Sequence, residues 1–280
     1  MENQQKSNKV QSLFAAIVIP LCILTSILLY VFVLGYEGNF ENNDPSKHGI
    51  NYLGTVHKGG YIVPVLMSFF LMVLVFSIER TITISKAYGR GSVDNFVRKI
   101  KSLLSRNDIN GAIAECDRQK GSVGNVVYSV LTKYKQVAGE NMAKEQKIVA
   151  LQKELEEATS LELPMLEKNL TIIATLASVS TLVGLLGTVL GMINAFNALA
   201  TAGAPDASAL SNGISEALIN TALGISASAL AIIAYNYFTS KIDTLTYSID
   251  EVGFSITQSF SVNHASSLNN KEKESSSVVL

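Results

Sequence analysis

Between Lys168 and Lys241 the chain carries only two charged side chains, Asp206 and Glu216. No other feature constrains the fold as tightly. A helix needs roughly 20 apolar residues to cross a hydrocarbon core of about 30 Å, so Asn169–Ser240 is long enough to cross twice. Its middle, Ala202-Gly203-Ala204-Pro205-Asp206, supplies the small residues and proline of a turn. The stretch therefore predicts two antiparallel membrane helices joined by a short loop, with Glu216 inside the second. A carboxylate near the bilayer centre costs about 2.5–3.5 kcal/mol on insertion scales, so it must face protein or water, pair, or keep its proton.

On the second helix, Asn220, Thr221, Gly224, Ala227, Ser228 and Ala231 are expected on the side of Glu216, and Leu218, Ile219, Leu223, Ile225, Leu230 and Ile233 facing away. The first helix of the pair has a matching stripe: Ala177, Ser180, Thr181, Gly184, Gly187, Thr188, Gly191 and Ala195. Two helices with one small, hydroxyl-lined face each suit a narrow polar passage or a tight bundle. Each feature also has a plainer reading. Gly187 and Gly191 form a GxxxG, which packs helices whatever else it does. Intramembrane Ser and Thr commonly bond back to their own helix. Glu216, about three turns after Pro205 and Asp206, has the reach of an interfacial side chain.

The rest of the chain extends the membrane reading. Ser12–Leu34 is uncharged and rich in Leu, Ile and Val, too long for the apolar core of a signal peptide, and predicts a first span within an N-terminal segment 1–35. A polar loop follows at 36–58, and an uncharged run from Gly59 to Ile78 predicts a second span, 59–79, closed by Glu79-Arg80. The region 80–168 holds 15 of the 22 Lys and Arg residues. By the positive-inside rule it is cytoplasmic. The N-terminus, with Lys6 and Lys9, and the C-terminal segment from Lys241 are then cytoplasmic too, and the loops at 36–58 and 201–211 lie outside.

Helical spacing recurs in the inner region at Phe96, Ile100, Leu103 and Leu104, at Val127, Val130, Leu131 and Tyr134, and at Ile148, Leu151, Leu155 and Ala158, with a turn at Asn107–Gly111 and a kink expected at Pro164. Ile242, Leu245, Ile249, Val252 and Ile256 form an apolar seam that continues the last membrane helix through 241–262. Seams of this kind need partners, so the cytoplasmic helices are expected to bundle within and between subunits. Residues 263–280 read as a disordered tail. The fold class is thus an all-α membrane protein with four transmembrane helices, two of them extended into a cytoplasmic helical bundle.

Motifs of phosphate binding, zinc proteolysis and serine hydrolysis are missing from the sequence. No metal site and no cofactor are expected: Cys22 and Cys116 lie in dissimilar surroundings, and His48, His57 and His264 show no ligand spacing and read as solvated. No basic patch points to nucleic acid. An enzyme is not expected; an ion gradient, worth about 2.3 kcal/mol per charge per 100 mV, is the energy source left.

The segments Leu182–Ile193 and Gly213–Gly224, taken together with Glu79-Arg80 and the Asn107–Cys116 turn and helix, resemble the MotA/TolQ/ExbB proton channel family, its ExbB and TolQ branch above all. The resemblance covers roughly residues 62–252. It implies a homopentamer around a dimer of a single-span partner of the ExbD or TolR type, whose membrane aspartate carries protons, together with a TonB- or TolA-like protein. Thr188 matches the threonine of the family's Gly-Thr-Val segment, Glu216 its membrane glutamate, and Thr221 the threonine five residues later. Carried over, Thr188 and Thr221 line the proton route and Glu216 tunes or hydrates it. Ser180, Thr181, Gly184, Gly187, Gly191, Asn220, Gly224 and Ser228 line the pore or pack the helices.

The chain departs from the family in two places. Ser180-Thr181 replaces the usual Ala-Pro, and the Ser12–Leu34 span is additional, expected on the lipid-facing outside of the ring. The implied role is a proton-channel and motor subunit in the bacterial inner membrane, supporting energised outer-membrane transport. A TolQ-like role in envelope integrity, a motility stator and a non-conducting scaffold are the alternatives.

Overall fold

The computed structural model describes residues 2–44, 49–201 and 207–277. The turn expected at Ala202–Asp206 lies outside the described residues, as does His48, and nothing is described of the His264 side chain. In chain order, α1 (Glu2–Leu28) runs into a π-helical turn, Leu29–Leu34. Two short 3-10 turns, Glu37–Asn39 and Glu41–Asn43, precede α2 (Tyr52–His57). A further 3-10 turn, Gly60–Ile62, leads into α3 (Val63–Ala87). Then come α4 (Val93–Ser105), α5 (Ile109–Gln119), α6 (Gly121–Gly139) and α7 (Lys144–Glu167). The last two are α8 (Leu170–Thr201) and α9 (Ala207–Ser277).

β-Pairing among the described residues amounts to one isolated antiparallel bridge, Phe40 with Gly49. Among the described residues, four helical stretches are long and apolar enough to cross a membrane: Phe14–Leu34, Gly60–Ala87, Leu170–Asn197 and Leu210–Asn263. The chain is an all-helical, multi-pass membrane protein.

Contacts divide it into two units, Met1–Arg80 with Asn169–Tyr237, and Thr81–Lys168 with Phe238–Leu280. In the first unit, Leu34, Val56 and Val63 are buried together, with Tyr30, Met67, Ile219 and Leu223 packed against them. The N-terminal helix is therefore joined to the others through its end, and higher up Phe14 meets Phe76 edge to face. The polar stretch after it is ordered by asparagines. Asn39 donates to the carbonyls of Val33 and Leu34, which end a helix without intrahelical partners, and Asn51 accepts from the Gly54 amide as the N-cap of α2.

Beyond Glu79-Arg80 the helix α3 continues to Ala87. The two charges satisfy each other. Arg80, fully buried, donates from Nε and a terminal nitrogen to the two Glu79 oxygens at 2.7 and 2.6 Å, and Asn169 donates to Glu79 at 3.1 Å. A buried pair with its lone pairs occupied avoids much of the penalty of an isolated charge.

The second unit is built from amphipathic helices. Phe96, Ile100 and Leu104 of α4, Val127, Val130, Leu131 and Tyr134 of α6, and Leu151 and Ala158 of α7 are buried, as the spacing predicts. The turn between α4 and α5 has Asn107 at φ 57°, and Asp108 caps α5 by accepting from the Gly111 amide. Ile242, Leu245, Ile249, Val252 and Ile256 are all buried within the one chain, so this seam is not left for a neighbouring copy. Gly253 leaves room for the Leu155 side chain, and Lys101 pairs with Glu251 at 2.6 Å.

Pro164 sits in the final turn of α7, and the chain leaves the helix just after it, at Asn169, which takes a left-handed φ of 63°. α9 runs to Ser277, over a segment from 254 that contains neither Gly nor Pro to stop it.

Candidate functional site

The hairpin of α8 and α9 is joined along a line of residues with almost no side chain. A Cβ placed on Gly184 would lie 3.1 Å from the Asn220 carbonyl and the Gly224 Cα. On Gly187 it would meet the Asn220 side chain at 2.5 Å, and on Gly191 the Ala217 nitrogen and Gly213 carbonyl at 3.0 Å. On Gly224 it would stand 2.6 Å from the Ser180 carbonyl. Ser228 continues the line by donating to the Ala177 carbonyl. Backbone approaches backbone, which is how small residues hold helices together where lipid removes the hydrophobic drive. Ser180, Asn220, Ala227 and Ala231 are buried in the seam. Ser180 Oγ and Asn220 Oδ1 have no protein hydrogen-bond partner there.

Thr181, Thr188 and Thr221 are half-buried beside the seam. Thr188 donates to Leu185 on its own helix at 2.5 Å and Thr221 to Ala217 at 3.2 Å. Thr188 follows Gly187 and Thr221 follows Asn220, and Gly187 and Asn220 face each other. In an antiparallel pair of right-handed helices, a step of one residue from a facing position turns both helices toward the same side. The two threonines therefore share one face of the hairpin at one level. The same face carries Leu185 and Leu218, both exposed.

Glu216 lies elsewhere. It precedes Asn220 by four residues, about 40° back around the helix, on the opposite flank of the seam. There it meets the Lys58-Gly59-Gly60 turn. Asn220 donates to the Gly59 carbonyl at 2.9 Å, and Ile219, expected to face away, packs with Leu223 against the Leu34, Val56 and Val63 cluster. Gly60 has φ 76°, and a Cβ there would lie 2.6 Å from Glu216 Oε1. The carboxylate thus rests against glycine backbone and opens into a pocket of about 410 Å3, also lined by Lys58, Asn194, Asn212 and Ser215. The structure brings Thr188 and Thr221 together, and Asn220, Gly184, Gly187, Gly191, Gly224 and Ser228 together. It does not put Glu216 on the threonine face.

Sequence reasoning missed the surroundings of Glu216. His57, expected to be solvated, stacks on Tyr30 at 4.5 Å between centroids and meets Phe40 edge to face at 5.3 Å. Burial, and then the charge of Lys58, hold its imidazole below the usual pKa. Tyr30 donates to the His57 carbonyl at 3.1 Å. Lys58 sits 5.7 Å above the Phe40 ring centre; burial lowers its pKa and Asp44 opposes that. A lysine and two glycines immediately before an apolar run were the only available signal. Among the described residues there is no cluster of His, Cys, Asp and Glu able to hold a metal.

Residues 122–251 match the model of the MotA/TolQ/ExbB proton channel family. Among curated proteins, the chain is 44% identical over 88 residues to the Tol-Pal system protein TolQ of Pseudomonas aeruginosa, covering 31% of this chain and 38% of that protein. It is 43% identical over 81 residues to the biopolymer transport protein ExbB of Helicobacter pylori, covering 29% and 56%. To the biopolymer transport protein ExbB of Xanthomonas campestris it is 27% identical over 151 residues, covering 51% and 54%. The matched region spans less than two thirds of the length of each of these relatives.

Proposed function

We propose, for a chain that belongs to the MotA/TolQ/ExbB proton channel family through its residues 122–251, that it is the multi-pass subunit of an inner-membrane complex coupling proton flow to mechanical work. One observation carries this reading: two hydroxyls, Thr188 and Thr221, sit at one level on the same face of a glycine-zipped membrane hairpin. Hydroxyls donate and accept, so they support a water chain without fixed charge. Both give their proton to a helix carbonyl and keep oxygen lone pairs for a water or for the acid of a partner helix. The exposed apolar residues around them call for covering, by lipid or by other helices.

On this reading several copies, five by the family likeness, form a ring around two helices of an ExbD- or TolR-like partner, and the threonine face turns inward. Glu216 acts from the other flank of the seam, tuning or hydrating the route. The work is passed to a TonB- or TolA-like protein and energises outer-membrane transport. The region 80–168 and both termini are cytoplasmic. The names of the relatives, Tol-Pal system protein and biopolymer transport protein, favour these two systems.

The test is proton flux. The chain is co-purified with its single-span partner and placed in liposomes carrying a pH-sensitive dye. Thr188→Ala and Glu216→Ala are expected to lose flux by at least about tenfold while the complex keeps its native mass. Unchanged flux in both variants would rule the route out, and a wild-type complex that passes no protons under a potential would favour a scaffold.

A further inference from the structure

We propose that the N-terminal span belongs to the Glu216 site, and that Tyr30 at its end is a positioning residue, holding the turn against which the carboxylate rests. This rests on reading Glu216 as a group that acts on the proton route. The turn, Lys58-Gly59-Gly60, is gripped at both ends.

The grip at His57, the residue before the turn, comes from α1. At Leu29–Leu34 that helix widens into its π-helical turn, where the Gly35 amide donates to the Tyr30 carbonyl, five residues back, at 2.9 Å. Single turns of this kind recur at functional sites. Here the widened end meets His57 in three ways. The Tyr30 hydroxyl donates to the His57 carbonyl at 3.1 Å. The phenol ring lies on the imidazole, 4.5 Å between centroids and 13° from parallel. Gly35 passes so close that a Cβ there would stand 3.1 Å from His57 Nε2. The last carbonyls of a helix have no partner within it, and for His57, which ends α2, the phenol supplies one.

The other grip comes from α9. Asn220 donates to the Gly59 carbonyl at 2.9 Å, and Gly59 is so close to Ile219 that a Cβ would lie 2.9 Å from its side chain. Gly60, at φ 76°, then lies against Glu216 Oε1. Gly59 and Gly60 leave the backbone its full freedom, so the bonds at either end set the path of the turn. Tyr30 and Ile219 pack on the same apolar cluster, and the charge of Glu216 is felt at Tyr30. The span that is additional to the family pattern thus bears on the glutamate that matches it. Without the phenol oxygen the turn is held from α9 alone, and the carboxylate loses its fixed backing and swings into the open pocket.

The experiment uses the purified full chain in lipid nanodiscs and two readouts. Hydrogen exchange of the peptide covering residues 58–62 reports the turn. Labelling by dicyclohexylcarbodiimide, which adds to a protonated carboxyl, reports Glu216; it is read by peptide mass at neutral pH, with Glu216→Gln as the unlabelled control. Tyr30→Phe removes one oxygen and keeps the ring. It is expected to speed exchange in the turn by at least about threefold. It is also expected to slow labelling by at least about threefold, because a carboxyl that has swung into water gives up its proton. Phe14→Leu is the control for general loosening of α1: it weakens the edge-to-face contact with Phe76 at the far end of the same helix and should leave both readouts at wild-type values. Labelling of Tyr30→Phe as fast as wild type, or faster, would overturn the proposal, even with faster exchange in the turn. So would equal changes in Phe14→Leu, or a wild-type Glu216 that is never labelled. Neither readout needs the partner protein or flux. A failure here leaves the flux test standing, and a complex without flux can still show both changes.

Discussion

Gly60 shows how much of this membrane unit is decided by single atoms. Its φ of 76° is open to glycine and costs other L-residues about 1–2 kcal/mol, and an added methyl would press on Glu216 Oε1. Gly60→Ala should lower the melting temperature in detergent by several degrees; an unchanged melt would mean that the turn relaxes freely. A few residues away, His57 links stability to pH. Its pKa is held below the unfolded value of about 6.5, so at mildly acidic pH the unfolded chain binds the proton and the folded chain does not. The stabilisation is full above about pH 6.5 and is lost as pH falls toward the folded value. The melting temperature should drop between pH 7.5 and 5.5, and drop less in His57→Phe, which keeps an aromatic ring between Tyr30 and Phe40. These residues were hard to see in the sequence because His57 and Lys58 stand in a polar stretch whose partners, Tyr30 and Glu216, are distant in the chain. Glu216 and Thr188 were visible because charge and hydroxyls stand out against apolar neighbours.

Among the helices, the glycine seam is the element that most resists change. A methyl on Gly224 would stand 2.6 Å from the Ser180 carbonyl and 2.8 Å from the Gly184 Cα, neither of which is a flexible side chain. Gly139, with nothing within 4 Å of its Cβ position, is the matched control. Gly224→Ala should cost about 1–3 kcal/mol, whereas Gly139→Ala should be neutral or stabilise by up to about 1 kcal/mol, both read as shifts in thermal unfolding. Equal effects would show that the seam is loose. Periodicity sufficed to find this element, since 3.6-residue spacing put Gly184, Gly187 and Gly191 on one face. It also found the Ile242–Ile256 seam, but not whom that seam packs with: spacing tells that a face is buried and is silent on the partner. The expectation also put Thr221 beside Glu216, but five residues turn a helix to about 140°, so spacing alone already sets the two on different faces. The length of α3 escaped notice because a charged pair marks where a span ends and is silent on whether the helix goes on past it, as it does to Ala87.

For the whole molecule, the distribution of positive charge makes a prediction about sidedness. With 15 of 22 Lys and Arg residues between Arg80 and Lys168, that region should lie inside the cell and the loop at 36–58 outside. A cysteine at Glu41 should react with a membrane-impermeant maleimide in intact cells, and one at Gln136 only after lysis, in a Cys22→Ala, Cys116→Ala background. The reverse pattern would invert the topology and the direction of ion flow proposed here. Finally, the seam bears on how such a subunit can move. With main chain resting on main chain where Gly184 and Gly191 of α8 meet Asn220, Gly224 and Gly213 of α9, prying α8 from α9 would open a slot that neither helix has the atoms to fill. The hairpin must then travel as one plank, and whatever slides or rotates when ions pass does so at its greased outer faces.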